Sequence, residues 1–188
     1  MKAMYFRIVV MVAASIMIMA CGGPKSITKV VGEEEVNVPC SEQFSDKDFF
    51  RGQGIGQSKD LNTAREKARM AANAELAGSI STLIKQVSEK YVNDAGQSPD
   101  DYSNVFESLT KQVINQQISN VAVSCNKTFT KDGMYKVYMA VEAGKKEVFD
   151  ALDKQAAVNE KIKTLYDREK FREQFDKEME DFAKQRGI

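Results

Sequence analysis

The chain of 188 residues contains no histidine and no tryptophan. Without histidine it lacks the commonest general base, the Ser-His and Cys-His catalytic pairs, and the usual nitrogen ligands of zinc and copper. Its three cysteines show no Cys-x-x-Cys spacing, so neither a redox pair nor a metal cluster is predicted. Without tryptophan or a loop cluster of aromatics, a carbohydrate platform has no support. We therefore expect a protein that is not an enzyme and needs no cofactor or metal.

The chain also lacks an excess of charge of either sign, since 27 Lys and Arg balance 27 Asp and Glu. Residues 1–20 carry Lys2 and Arg7 and no acid, so their removal leaves 25 basic against 27 acidic residues. Such a balance provides no basic face for nucleic acid. The acidic runs Glu33–Glu35 and Asp100–Asp101 fall in a tether and at a helix start. Solvation and capping therefore explain them without a catalytic carboxylate pair.

The N-terminus predicts the cellular address. Lys2 and Arg7 precede the apolar run Ile8–Ala20, whose 13 residues are too few to span a bilayer but fit a signal peptide. The following Ile18-Met19-Ala20-Cys21 resembles a bacterial lipobox. The resemblance implies cleavage before Cys21, diacylglycerol on its sulfur and membrane anchoring by several acyl chains. An ordinary secretory signal and an uncleaved anchor are the alternatives.

The residues after Cys21 bear on which membrane surface carries the protein. By resemblance to lipoproteins, Gly22 in place of Asp favours the outer membrane over retention at the inner membrane. The sequence from Gly22 to Ser26 lacks the acidic residues of some surface-exported lipoproteins. We therefore expect the protein to face the periplasm.

The hydrophobic pattern of residues 46–152 predicts an α+β domain with a small antiparallel or mixed sheet and helices packed on one face. A lipidated tether, 21–45, precedes it, and a charged amphipathic helix or pair of helices, 153–188, follows it. Within the tether, residues 34–40 also suggest a short edge strand. The predicted order is strand, helix, helix, strand, strand, helix. Its elements are a strand at 48–56, a helix of about eight turns from Leu61, a helix opened by Ser98-Pro99, and a hairpin of 121–129 and 134–142 that turns at Asp132-Gly133.

Gly52, Gly54 and Gly56 raise the question of a phosphate site. Their spacing matches neither the P-loop nor the G-x-G-x-x-G pattern of dinucleotide-binding proteins. In a strand all three glycines share one face. The following helix carries an alanine stripe at Ala64, Ala68, Ala71 and Ala72. We therefore predict close packing of strand on helix, with anion binding at the helix N-terminus beside Lys59 as the alternative.

These residues also carry a resemblance to a known family. An aromatic pair, a Gly-x-Gly strand and an alanine-rich helix together resemble the Lpp-twenty (twenty-kilodalton) lipoprotein family, and the layout is similar to the N-terminal domain of a flagellar T-ring protein. The resemblance covers about Asp48 to Leu152, implies the fold and an envelope location, and leaves the C-terminal segment unexplained. The matching positions are Phe49, Phe50, Gly52, Gly54, Gly56, Ala64, Ala68, Ala72, Leu76 and Ile80.

Two cysteines remain if Cys21 carries lipid, and the periplasm permits disulfides. Cys40 and Cys125 are predicted to form one, with two separate buried thiols as the alternative.

The C-terminal segment has an apolar stripe of Phe171, Phe175, Met179 and Phe182. Two interpretations stay open. The stripe folds back onto the domain, or it forms a face for an envelope partner or for self-association. The functional hypothesis is a non-enzymatic structural or assembly module of the envelope. The alternative is a binding module for a small molecule or glycan, held at the open sheet face or at the turn from Gly54 to Asp60.

Overall fold

The computed structural model describes residues 36–185 and shows the predicted α+β class. Its four helices and three strands run in the order β-α-α-β-β-α-α. The order ends in two helices, whereas the predicted order ends in one. The signal peptide, Cys21 and most of the predicted tether lie outside the described residues. The elements are β1 (Phe49–Ser58), α1 (Leu61–Asp94), α2 (Pro99–Ile118), β2 (Ala122–Lys131), β3 (Met134–Gly144), α3 (Lys145–Val158) and α4 (Arg168–Gln185).

The sheet is antiparallel throughout, with β3 in the centre and the strand order β1-β3-β2. Asp132 and Gly133 connect β2 to β3 with φ of 52° and 73°. Two positive φ angles are what a type I′ turn requires, and this turn matches the right-handed twist of the strands it joins. The hairpin predicted at Asp132-Gly133 is confirmed.

The close contact between β1 and α1 forms one side of the core. An added Cβ would lie 2.2 Å from the Ala72 carbonyl oxygen at Gly52, 2.2 Å from that of Ala68 at Gly54, and 2.0 Å from that of Ala64 at Gly56. Two strand residues advance about 6.6 Å and four helix residues about 6 Å. The two repeats therefore stay in register over three contacts, and the predicted close packing is present.

Two helices, α3 and α4, form the C-terminal part of the domain. The boundary predicted at Leu152 falls inside α3, and residues from Asn37 onward belong to one compact unit. In α4, Phe171, Phe175 and Met179 are fully buried and Phe182 is nearly so. The fold-back interpretation is therefore confirmed. The interpretation of this stripe as a partner or self-association face is wrong, because the four side chains belong to the core.

Aromatic contacts fix α4 against the rest of the domain. The Phe171 ring lies 5.1 Å from the Tyr91 ring of α1 and 6.2 Å from the Phe106 ring of α2, measured between centroids. The Tyr91 hydroxyl donates to the Leu165 carbonyl at 2.8 Å and accepts from the Asp167 amide at 2.6 Å. Burial raises the pKa of Tyr91, so the hydroxyl stays a donor at neutral pH. These two hydrogen bonds hold the connection between α3 and α4 against α1.

The short edge strand predicted at 34–40 does not form in the part that the structure describes, residues 36–40. Instead the chain makes a turn at Pro39–Glu42, and Cys40 has a φ of 66°. A residue with positive φ interrupts the extended backbone that a strand needs. Its contacts with Cys125 of β2 and Gln53 of β1 place the segment across the sheet face, not along its edge.

Candidate interaction surface

The N-terminus of α1 is already occupied by a carboxylate. Asp60 caps the helix by accepting a hydrogen bond of 2.8 Å from the Thr63 amide. That backbone hydrogen bond lowers the pKa of Asp60, so it is ionised at neutral pH. A second anion there would meet a negative charge, and the three glycines face the helix backbone. The geometry favours packing over the anion-binding alternative beside Lys59.

The face of the sheet that points away from α1 is called the outer face. Residues Asn37–Asp46, here called the strap, cover part of it. Cys40 of the strap forms a disulfide with Cys125 of β2, with a Cα–Cα distance of 5.8 Å. The Gln53 side-chain amide donates to the carbonyls of Ser41 and Gln43 at 3.1 and 3.0 Å. The predicted disulfide is confirmed, and it fits an extracytoplasmic protein.

An arginine clamp holds the other end of the strap. The Arg51 guanidinium contacts Asp46 at 2.6 Å and Glu142 at 2.8 Å, and donates to the Phe44 carbonyl at 2.7 Å. Burial alone would raise the pKa of Asp46, but hydrogen bonds from Arg51 and from two backbone amides outweigh it and lower that pKa. Glu142 and Asp46 are thus committed to Arg51 and are not candidate catalytic acids.

Beyond the strap, the outer face stays exposed towards the β2–β3 turn. Ile55 and Phe129 are 50% and 51% exposed, although both are large and apolar. Ile55 lies directly across from Tyr138, and the Phe129 and Tyr138 rings meet edge-to-face at 5.7 Å. Lysines surround these side chains. We call the set the hairpin patch; it consists of Ile55, Lys127, Phe129, Lys131, Lys136 and Tyr138.

The lysines of the hairpin patch have no carboxylate partner among residues 36–185. Lys136 instead places its ammonium 5.0 Å from the centre of the Tyr138 ring, a cation–π contact. The hairpin of β2 and β3 contains two carboxylates: Asp132 lies in the turn, and Glu142 is paired with Arg51. The patch is therefore basic and apolar on a chain of zero net charge.

The two edges of the sheet differ. At the β1 edge, the Gln53 amide donates to the Glu75 carboxylate at 2.8 Å, and the Lys67 ammonium donates to the Gln57 carbonyl at 3.3 Å. Side chains of α1 thus occupy backbone groups that another strand would need. At the β2 edge, no described residue bonds to the outward backbone groups of Asn126–Lys131. One edge is blocked and the other is open.

The sequence analysis identified β2 as a strand but not as one exposed on both faces. The signal was present, because Asn126, Thr128 and Thr130 alternate with Lys127 and Lys131, so neither face is apolar enough to be buried. No comparable sequence pattern indicates that Glu75 and Lys67 block the β1 edge. The blocking depends on which helix face lies beside the strand edge.

The buried polar side chains in two grooves between helices are bonded within the protein. A groove of about 560 Å³ between α2, α3 and the end of β3 contains Gln117, whose side-chain amide donates to the Glu147 carbonyl at 3.1 Å. A groove of about 440 Å³ between α1 and α2 contains Ser88 and Thr110, whose hydroxyls donate to carbonyls of their own helices. These buried polar groups are already bonded within the protein, so a small ligand in the first groove would depend on exposed side chains at its rim, such as Asn120 and Lys154.

Two further properties concern residues 36–185 only. No group of three or more His, Cys, Asp and Glu side chains is placed to hold a metal ion. None of the helices there has the length and apolar character that crossing a membrane requires.

Comparison with known proteins gave no match to a family model, a curated protein or a solved structure.

Proposed function

We propose that the protein is a non-enzymatic lipoprotein of the bacterial envelope, anchored through Cys21 to the periplasmic side of the outer membrane, and that it presents the open β2 edge and the hairpin patch to a partner protein. The observation that carries this proposal is the asymmetry of the sheet. The chain blocks the β1 edge with its own side chains and leaves the β2 edge beside exposed apolar groups. Unprotected edges promote association, so an edge left open beside an apolar patch suits a binding role.

The envelope location is supported by three features. The lipobox-like run ends at Cys21, the N-terminal apolar run is too short to span a bilayer, and the domain contains a disulfide. The resemblance to the Lpp-twenty lipoprotein family points to the same location.

Replacement of the lipidated cysteine is expected to release the protein from the membrane. In Cys21→Ala, the acyl chains that hold the protein have no attachment site, and about 0.8 kcal/mol per buried CH₂ is lost. The measurement is incorporation of labelled palmitate, with membrane fractionation of the wild type and the variant. Cys40→Ala serves as the control that removes a different cysteine. Unchanged labelling and membrane recovery of Cys21→Ala would contradict the lipoprotein assignment.

The partner surface is tested by site-specific photocrosslinking in cells. A photoreactive phenylalanine analogue at position 129 is expected to form crosslinks to a discrete partner. The matched control places the analogue at Val158, which is 70% exposed at the end of α3 and lies outside the hairpin patch. Equal crosslinking at the two positions, or none at position 129, would contradict an interaction role for the hairpin.

A small-molecule or glycan module would instead show a ligand-dependent rise in melting temperature.

A further inference from the structure

We propose that the open edge of β2, from Asn126 to Lys131, binds an extended acidic segment of a partner protein as a fourth strand of the sheet. This inference rests on the proposed function and specifies the chemistry of the partner. In strand addition, main-chain hydrogen bonds provide affinity and alternate side chains provide specificity.

The geometry of the edge fits a short extended segment. The six residues Asn126–Lys131 are paired with β3 on one side and have no partner among residues 36–185 on the other. At about 3.3 Å per residue they offer roughly 20 Å of edge. The β-bulge at Val123–Cys125 and the disulfide at Cys125 limit regular pairing at the start of β2. The usable edge therefore begins at Asn126.

Charge selects an acidic occupant. Lys127 and Lys131 point to the outer face of the edge strand, with Lys136 on the neighbouring strand, and β2 contains no carboxylate. Like charges directly opposite each other across strands are destabilising, and opposite charges are favourable. A second copy of β2 would bring lysines towards lysines. A partner strand with Glu or Asp would neutralise them, so the same lysines favour one partner and oppose self-pairing.

The side chains of β2 also specify the pattern of the incoming strand. On the outer face the order is Lys127, Phe129, Lys131, so the partner should carry acid, apolar and acid residues at every second position. On the other face Asn126, Thr128 and Thr130 are exposed and polar. Threonine fits opposite them, because β-branched side chains suit a pleated, half-exposed surface.

A peptide of seven residues tests this pattern: Thr-Glu-Thr-Ile-Thr-Glu-Thr, with a fluorophore at one end. It reads the same in both directions, so its side chains fit a parallel or an antiparallel strand. Fluorescence anisotropy with the full-length, disulfide-bonded protein in detergent is expected to show saturable binding that weakens with salt. Two control peptides, with Lys in place of both Glu or with Pro in place of both Ile and the Thr that follows it, are expected to bind at least about tenfold more weakly. The first reverses the charges. The second removes a main-chain donor that faces β2 in either strand direction, because neighbouring residues of a strand direct their N–H groups to opposite edges.

Variants of the protein locate the binding to the edge. Lys127→Glu with Lys131→Glu is expected to weaken binding of the acidic peptide at least about tenfold and to favour the lysine peptide. The matched control is Lys154→Glu with Lys161→Glu, which makes the same charge change at exposed lysines that have no ion pair among the described residues. The control should bind the acidic peptide like the wild type.

Three results would overturn the inference. Equal binding of acidic and lysine peptides would remove the charge argument, and equal binding of the proline peptide would remove the strand-addition argument. Lysine-dependent binding of phosphatidylglycerol vesicles, without any peptide binding, would assign the patch to a lipid surface.

The peptide and crosslinking experiments together separate this inference from the proposed function. If the acidic peptide does not bind while photocrosslinks persist at position 129, only the partner chemistry is wrong. If neither binding nor crosslinks are seen, the interaction role is wrong as well.

Discussion

Gly54→Ala is expected to destabilise the domain severely. The new Cβ would lie 2.2 Å from the Ala68 carbonyl oxygen and 2.4 Å from the Ala72 amide nitrogen. Both are backbone atoms within α1, so rotation of a side chain cannot relieve the overlap. The helix and the strand must separate instead, along a contact that continues to Gly52 and Gly56.

The magnitude follows from what the methyl group meets. Extra methylenes that meet movable side chains typically cost about 1–3 kcal/mol. A fixed backbone contact falls among the exceptional substitutions, and we expect a loss of more than about 4 kcal/mol. Urea denaturation followed by far-ultraviolet circular dichroism measures the free energy of unfolding.

The same chemical change at Gly78 provides the matched control. Gly78 lies within α1, and an added Cβ there would meet no heavy atom within 4 Å apart from its chain neighbours and the adjacent backbone of its own helix. Gly78→Ala should therefore raise the free energy of unfolding by about 0.5–1 kcal/mol, because alanine loses less conformational entropy in a helix. If Gly54→Ala were as stable as the parent, the packing account of the glycines would be wrong. Anion binding at the start of α1 would then have to be reconsidered through Lys59.

The features that could be predicted from the sequence are those set by local chemistry. The Asp132-Gly133 turn requires positive φ at two consecutive residues, and the glycines of β1 share a face because strand side chains alternate. Both follow from residues that are close in the chain. The disulfide was predictable for a different reason, because few cysteines leave few possible pairings.

The features that the sequence left open, or did not indicate at all, depend on contacts distant in sequence. The Phe171 stripe is compatible with a core or with a surface until α1 and α2 supply Tyr91 and Phe106 beside it. Likewise, Glu75 blocks the β1 edge at Gln53 only because α1 returns along that strand. Local periodicity identifies an amphipathic helix but does not identify what covers it.

Loss of the disulfide is expected to have the second largest effect. Cys40 and Cys125 are 85 residues apart, and closing a loop of that length in the unfolded chain corresponds to roughly 4.5 kcal/mol in the chain-entropy model. Cys40→Ser with Cys125→Ser should lower the free energy of unfolding by about 2–5 kcal/mol. The strap should also become a site of proteolysis before the rest of the domain, because no covalent bond would then hold it to the sheet. It would keep its hydrogen bonds and the Asp46 ion pair with Phe49, Arg51 and Gln53 of β1. Urea denaturation and limited proteolysis measure the two effects.

A second variant separates the cross-link from the backbone conformation that it holds. Cys40 has a φ of 66°, which costs a residue with a side chain about 1–2 kcal/mol and costs glycine little. Cys40→Gly with Cys125→Ser should therefore keep the strap in place better than the serine pair, although both lack the bond. If the strap is held by the disulfide alone, the two variants will be cleaved at the same rate. If reduced wild-type protein is as stable as the oxidised form, the bond does not stabilise the fold, and the strap must be held by its hydrogen bonds and ion pair with β1.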